Sequence, residues 1–257
     1  SQEFFDLEVE KMWSKTWQMT CRESLLRNPG DYFVYDIVNN SILITRTESG
    51  ELKAYHNSCL HRGRVLKRGS GTTDNLRCPY HGWAWSLEGE FEGAPCEWDF
   101  PHVTENPDAF KLPEVKVDTW EGWVLINMDE DAQPLEEYMG IIPEHFKEWD
   151  HKHRYISAHV EKVVGANWKA VYEAFVESYH AIATHPQLMP FQGIENSQYD
   201  VWGDNVSRTI TSYGVPNPSH ADQFSEQDSM NAMMKLSGAE DIPQVAEGQT
   251  AREKMAE

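Results

Sequence analysis

Apolar and polar positions alternate in short runs through much of the first 130 residues, the period of half-buried strands rather than of helices. Ahead of that texture, Phe4, Leu7, Val9, Met12 and Trp13 follow a roughly helical pattern within residues 3–15, EFFDLEVEKMWSK, and predict a helix. The runs DYFVYDI (31–37) and SILITRT (41–47) flank VNN and predict a hairpin. GELKAYHNS (50–58), WAWSLEGEFEG (83–93) and TWEGWVLINM (119–128) continue the strand-and-turn pattern. Residues 134–149, PLEEYMGIIPEHFKEW, read as a helical connector with its interruption at Pro143. A strand over 155–164, a helix over 166–182 and a second hairpin around WGDNV (202–206) follow. The last forty residues are polar and weakly periodic and predict no definite element, and the chain shows neither an internal repeat nor a low-complexity tract.

A chain of 257 residues is long enough for a large core and, at this size, for two compact units. Its 40% hydrophobic and 12% aromatic content, with ten tryptophans, excludes general disorder. The net charge of −20 repels phosphate backbones and anionic lipid headgroups, so neither nucleic acid nor membrane is expected as a partner. Apolar runs such as WVLIN (123–127) are far too short to span a bilayer, and no charged-then-apolar leader opens the sequence, which starts at Ser1. Four cysteines, Cys21, Cys59, Cys78 and Cys96, make no disulfide framework in a chain this long, and the expected setting is a reducing cytoplasm.

The most specific pattern is CLHRGRVLKRGSGTTDNLRCPYHGW (59–83). Cys59 and His61 form C-x-H; after sixteen intervening residues Cys78 and His81 form C-x-x-H. Each short loop offers one thiolate and one imidazole, with Gly63, Pro79 and Gly82 supplying tight turns beside them. A structural zinc site also accepts two Cys and two His, but usually pairs like with like. A Cys59–Cys78 disulfide leaves both histidines unexplained. A Rieske [2Fe–2S] cluster, in which two His replace two Cys on one iron, fits the mixed pairs best.

With these loops the chain resembles the Rieske non-haem iron oxygenases, specifically their large (α) subunits; CLHRG and CPYHGW match that family's cluster loops, and the order of segments matches over nearly the whole chain. The resemblance implies that Cys59 and Cys78 hold one iron and His61 and His81 the other. Histidine ligation raises the potential, so electrons are expected from NAD(P)H through a reductase or ferredoxin. Between the ligand pairs, Arg62, Arg64, Lys67, Arg68 and Arg77 stand against the single Asp74. On a chain of −20 this basic patch is either a docking face for an acidic redox partner or a set of side chains paired with acidic neighbours.

A second constellation lies in ANWKAVYEAFVESYHAIATHPQL (166–188). On a helical wheel Trp168, Val171, Tyr172, Phe175 and Tyr179 gather as an apolar stripe, while Glu173, Glu177 and His180 share the other side. His180 and His185 are five apart, roughly 140° around a continuous helix. His185 precedes Pro186, which disfavours helical backbone there, so the helix should end or unwind between the two histidines and let both face one point. Two histidines and a carboxylate are the facial triad of non-haem iron sites. By the family's pattern of acidic positions followed by H-x4-H, His180 and His185 resemble the histidine ligands of a mononuclear Fe(II). Glu177 resembles the carboxylate that links the iron site to a cluster histidine of a neighbouring subunit, here His81. Many relatives carry Asp at the bridging position; Glu also occurs in relatives that oxidise quaternary ammonium compounds. The third iron ligand has no counterpart after His185 and is expected beyond the end of this chain, where Thr250 and Glu253 form the capping box of a further helix.

The sequence therefore predicts an α+β chain: a lead-in helix and strand over 1–28, an all-β Rieske [2Fe–2S] domain over 29–152, and over 153–257 the first part of a helix-grip catalytic domain, an antiparallel sheet with helices. The resemblance implies a mono- or dioxygenase component that inserts oxygen from O2 into a small organic substrate, an aromatic or other cyclic compound as in aromatic hydrocarbon catabolism, assembled as a homotrimer. The alternatives are an electron carrier or inactive fragment without a complete iron site, or an oxygenase of quaternary ammonium compounds.

Overall fold

The computed structural model describes residues 1–257 and divides them into two compact units, Ser1–Met139 with Pro143–Ala158, and Gly140–Ile142 with His159–Glu257. The first unit opens with α1 (Gln2–Glu8), which continues as a wider turn over Val9–Trp13. Ten strands follow: β1 (Gln18–Arg22), β2 (Asp31–Ile37), β3 (Asn40–Arg46), β4 (Leu52–His56), β5 (Ser70–Thr72), β6 (Leu76–Arg77), β7 (Ala84–Trp85), β8 (Phe91–Gly93), β9 (Glu114–Trp120) and β10 (Trp123–Asn127). Seven form one antiparallel sheet in the order β1-β10-β9-β4-β3-β2-β5, and β6-β7-β8 form a second. The lead-in strand β1 is thus an integral edge of the large sheet.

The alternation legible in the sequence builds two cores, one on each face of the large sheet. Along β3, Leu43 and, on the neighbouring β4, Tyr55 join Leu76, Trp83, Trp85 and Leu87 beneath the small sheet. Their neighbours Ile42, Ile44 and Ala54 point the other way, to Cys21, Leu26, Val124 and Ile126. The predicted hairpin turns on Val38–Asn39, one residue shorter than the VNN reading, because Ile37 pairs with Asn40. The β9–β10 hairpin turns on Glu121 and Gly122, both at positive φ (+47° and +76°), a backbone suited to the twist of a two-residue turn.

Short helices connect the rest: α2 (Pro101–Thr104), α3 (Leu135–Met139) and α4 (Ile142–Phe146). The connector breaks at Gly140 (φ +51°) and not at Pro143, which sits in the first turn of α4 where its missing N–H costs nothing. The second unit contains α5 (Trp168–Val176), α6 (Ala181–Thr184), the predicted hairpin as β11 (Gln192–Trp202) and β12 (Val206–Tyr213), then α7 (Glu226–Leu236) and α8 (Ala251–Met255). α7, absent from the sequence reading, is announced by a Ser225–Asp228 capping box; the Thr250–Glu253 box starts α8 as expected. Residues 155–164 are not a strand: nothing pairs with them, and Val160 and Val163 are almost fully exposed. The helix expected over 166–182 stops at Val176, and its apolar stripe is not core, with Phe175 and Tyr179 exposed. No helix is long and apolar enough to cross a membrane.

Arg22 closes the first unit. Nearly buried at 4% exposure, its guanidinium donates to the carbonyls of Glu121, His151, Lys152 and Arg154 and lies 4.8 Å over the Trp123 ring. This ties residues 151–154 to the β9–β10 turn. Replacing it, Arg22→Met, removes the shared donor and is expected to destabilise the unit by about 2–3 kcal/mol. The check is limited proteolysis with thermal denaturation: cleavage near 150–158 should accelerate, and an unchanged digestion pattern would show that the guanidinium does not hold this segment.

Candidate functional site

The four cluster donors stand on two loops with one backbone plan. Loop one follows β4: the Cys59 N–H donates to the Arg64 carbonyl (2.8 Å) and Gly63 N–H to the Cys59 carbonyl (2.8 Å). Loop two joins β6 to β7: the Cys78 N–H donates to Trp83 O (2.7 Å) and Gly82 N–H to Cys78 O (3.0 Å). Gly63 and Gly82 occupy equivalent positions at φ +71° and +76°, the left-handed backbone that lets each loop close within six residues. The histidine is two residues after the cysteine in one loop and three in the other.

This plan brings the four side chains together in two pairs. The His61 and His81 rings lie 4.8 Å apart between centroids, and the buried Cys59 and Cys78 thiols are near neighbours, close enough for Cys78 to raise the Cys59 thiol. The donors stand as a sulfur pair and an imidazole pair. That arrangement suits two irons with different ligands better than a single tetrahedral zinc. His61 Nδ1 is buried without any hydrogen-bond partner, an arrangement that disfavours folding unless something else takes the lone pair. The chemistry of a [2Fe–2S] cluster therefore fits these residues.

Burial pushes the Cys59 thiol up and the adjacent Cys78 adds to this, while the N–H groups of His61 and Arg62 aimed at the sulfur pull it down. Burial likewise lowers His61, helped by the neighbouring His81 ring and the Arg62 guanidinium, which favours the neutral, ligating imidazole. Trp83 stacks on His61 with planes 6° apart and centroids 4.9 Å apart, and Tyr80 lies against His81. Arg62, Arg64, Arg68 and Arg77 are exposed around the loops; Arg62 lies over Tyr80, and Arg77 Nη1 donates to Gly82 O. Lys67 is drawn inward, bonded to Thr73 Oγ1 at 2.7 Å and facing the Tyr32 ring.

Sequence reasoning missed Asn57, two residues before Cys59. Its buried carboxamide accepts from the N–H groups of Leu66 and Lys67 (3.1 Å each) and donates to Ser41 Oγ (3.0 Å) and Lys67 O (2.9 Å). All four of its hydrogen-bonding positions are used, stapling the two ends of loop one. An Asn at a strand end signals local backbone bonding, but its partners lie nine and ten residues away and leave no periodic trace.

The second constellation differs from its expectation. The helix opens before His180, at Glu177, whose backbone is extended (φ −126°, ψ 156°). Glu173, Glu177 and His180 therefore do not share a helical face. α6 spans the two histidines, with His180 as N-cap and His185 as C-cap ahead of Pro186. Their rings lie 5.5 Å apart. Glu177 Oε1 sits 2.5 Å from His180 Nδ1, and Oε2 accepts the His180 N–H at 3.2 Å. These bonds hold the Glu177 carboxyl below its usual range. With Nδ1 engaged, Nε2 is the free nitrogen of His180, and no third ligand accompanies the pair.

Of the remaining histidines, His153 pairs with Asp150, His159 with Glu161 and His220 with Ser219, while His102 and His151 lie among aromatic rings, His151 with its Nε2 buried and unpartnered. Cys21 is a buried small side chain, its thiol pushed up to about 11 by burial. Cys96 is exposed and occupies a left-handed turn position after Pro95.

The profile of the Rieske [2Fe-2S] domain matches residues 16–106, and that of the ring hydroxylating alpha subunit (catalytic domain) matches 144–255. The chain is 32% identical over 190 residues to the carnitine monooxygenase oxygenase subunit of Acinetobacter pittii (strain PHEA-2), covering 72% of this chain and 50% of that protein. It is 30% identical over 191 residues to the large oxygenase component of the naphthalene 1,2-dioxygenase system of Pseudomonas putida, 72% and 42% of the two chains. A solved quaternary ammonium Rieske monooxygenase superposes with a TM-score of 0.72 at 27% identity, over 85% of this chain and 61% of that one. The chain spans about half the length of the curated relatives it matches.

Asn57→Leu, close in size but unable to hydrogen-bond, leaves the Leu66 and Lys67 backbone groups without their partner, at about 1–3 kcal/mol for each buried group. The variant should hold its cluster about tenfold or more weakly, read as iron and acid-labile sulfide retained per chain under chelator. Retention equal to the unaltered protein would remove Asn57 from the support of the loop.

Proposed function

The chain belongs to the Rieske non-haem iron oxygenases as part of a large (α) subunit, and from that premise we propose that the complete protein is the oxygenase component of a multicomponent system. The observation that carries the reading is the pairing of Cys59 with Cys78 and of His61 with His81 on two like-built loops, together with the unpartnered His61 Nδ1. Cys59 and Cys78 would hold one iron and His61 and His81 the other. His180 and His185 would supply two ligands of a mononuclear ferrous site, and the third we assign to the part of the relatives' length that this chain does not span. When bound, the cluster takes single electrons and the ferrous iron activates O2 for insertion into an organic substrate. We set the functional division at a cluster domain over 29–152, preceded by the lead-in 1–28, and a catalytic part from 153.

The chain's own side chains have definable tasks. Trp83 and the apolar layer below it keep water from the cluster donors; burial and its neighbours favour a neutral His61. Glu177 orients the His180 ring by engaging Nδ1, which leaves Nε2 to ligate. Our assignment for the far side of Glu177 is His81 of a second copy in a homotrimer. The partly exposed His81 and Glu177 support it, since a contact between copies requires both to be reachable. The free thiols suit a reducing cytoplasm.

For substrate we retain an aromatic or other cyclic compound, the class of the naphthalene-oxidising relative. A second reading, a quaternary ammonium compound, is favoured by one residue, the longer Glu177 at the bridging position, and by the carnitine-oxidising relatives.

Three experiments test the proposal. In the protein extended to a complete iron site, about three irons per chain are expected, two in the cluster and one mononuclear. Glu177→Ala should keep the cluster's visible spectrum yet lose single-turnover product, at least about a hundredfold; unimpaired product formation would refute the bridge, and two irons per chain would favour an electron carrier. Separately, the exposed arginines around the loops predict that reduction by an acidic ferredoxin or reductase slows steeply as salt rises. A rate insensitive to ionic strength would exclude docking on this face.

A further inference from the structure

Residues 173–180, EAFVESYH, contain no glycine or proline, and nothing local should stop a helix there. Yet α5 opens at Glu177. In an unbroken helix the His180 N–H would donate to the Val176 carbonyl. Here each half of that bond has another partner: His180 N–H goes to Glu177 Oε2 at 3.2 Å, and the Val176 carbonyl accepts from Thr209 Oγ1 at 2.5 Å.

The residue on the other side of the break is held as well. Ser178 Oγ donates to Ser197 Oγ at 2.6 Å. Ser197 Oγ in turn donates to Ile194 O (2.7 Å), which uses its one proton, so Thr211 Oγ1 at 2.8 Å is the donor in its contact with Ser197. Ser197 lies where the β11–β12 register shifts between Gly193 and Gln198, and Thr209 and Thr211 are two apart on β12, on one side of the strand. The Thr209 hydroxyl thus holds the backbone before Glu177, and the Ser178, Ser197 and Thr211 hydroxyls tether the side chain after it to the hairpin.

We propose that Thr209, with Ser178 and Ser197, are positioning residues that hold the helix open at Glu177 and so aim its carboxylate at His180. The inference deepens the reading of Glu177 as the bridging carboxylate and rests on it for its functional meaning, while its structural content stands on the hydrogen bonds alone. The hairpin hydroxyls supply what the local sequence lacks, a reason for the break. Without the Thr209 hydroxyl the Val176 carbonyl is free again for His180 N–H, the helix closes, and Glu177 is carried onto its surface.

The test compares Thr209→Val, which keeps the shape and removes the hydroxyl, with Thr209→Ser, which keeps the hydroxyl and removes a methyl. The readout is the backbone 13Cα shifts of residues 176–180 in the labelled 257-residue chain. Unaltered protein and Thr209→Ser should show an extended Glu177; Thr209→Val should show helical shifts through His180. A break that survives Thr209→Val overturns the inference, as does a Thr209→Ser variant that loses it, which would mean packing rather than hydrogen bonding. Should Thr209→Val fold poorly, Ser178→Ala against Ser178→Thr gives the same comparison with the same two outcomes. In the complete protein, a Thr209→Val variant that has lost the break should also deliver electrons to the iron about tenfold or more slowly. Loss of the break with delivery unchanged would support the positioning role and remove the bridging role from Glu177.

Discussion

Trp83 is where the first unit is fastened. Its carbonyl accepts the Cys78 N–H that closes the second loop, and its indole stacks on His61 of the first. Beneath, the ring meets Phe91, Phe100 and Phe110 edge-on, and the residue is 3% exposed. A single side chain thus couples both ligand loops to the core under the small sheet. Such edge-to-face packing contributes beyond area alone, and it holds water away from sulfur and imidazole donors whose chemistry depends on their surroundings. The seven-stranded sheet is the platform: by exposing Leu43 and Tyr55 to one face and Ile42, Ile44 and Ala54 to the other, it is buried on both sides and cannot shift register without turning one core into surface.

The second unit works by a different rule. Its candidate ligands sit where regular structure stops: Glu177 at the end of α5, His180 and His185 at the two caps of α6. Freed from a common helical face, they are placed by hydrogen bonds from the β11–β12 hairpin and from Glu177 itself. Caps are suited to this task because their backbone angles are not fixed by the helix, so a side chain can be aimed independently of its neighbours. The apolar side of α5 and the run 155–164 carry exposed valine, phenylalanine and tyrosine side chains without a covering layer.

Much of this was legible in the sequence because it rests on local signals. The cluster loops could be read from C-x-H and C-x-x-H flanked by Gly63 and Gly82, whose left-handed angles the structure displays. The two hairpins followed from alternating runs around turn residues, and α8 from its Thr250–Glu253 box. What escaped depends on distant partners. The break at Glu177 requires Thr209, thirty-three residues away from Val176, and no helical periodicity can report it. The stripe from Trp168 to Tyr179 predicted a buried face, but burial needs a second element to pack against, and periodicity cannot say whether one is present. Asn57 reads as an unremarkable strand end until Leu66 and Lys67 are folded back on it. The extended run 155–164 shows the same limit, since a strand is defined by its neighbour.

The central claim is that two thiolates and two imidazoles, one of each from each loop, hold a single two-iron cluster. Pulsed EPR of the reconstituted and reduced chain, carrying 15N-histidine, tests this most directly. The account predicts two inequivalent histidine nitrogens coupled to the cluster spin, one lost in His61→Cys and the other in His81→Cys. A spectrum with no coupled histidine nitrogen, or one in which both couplings survive these substitutions, would contradict it.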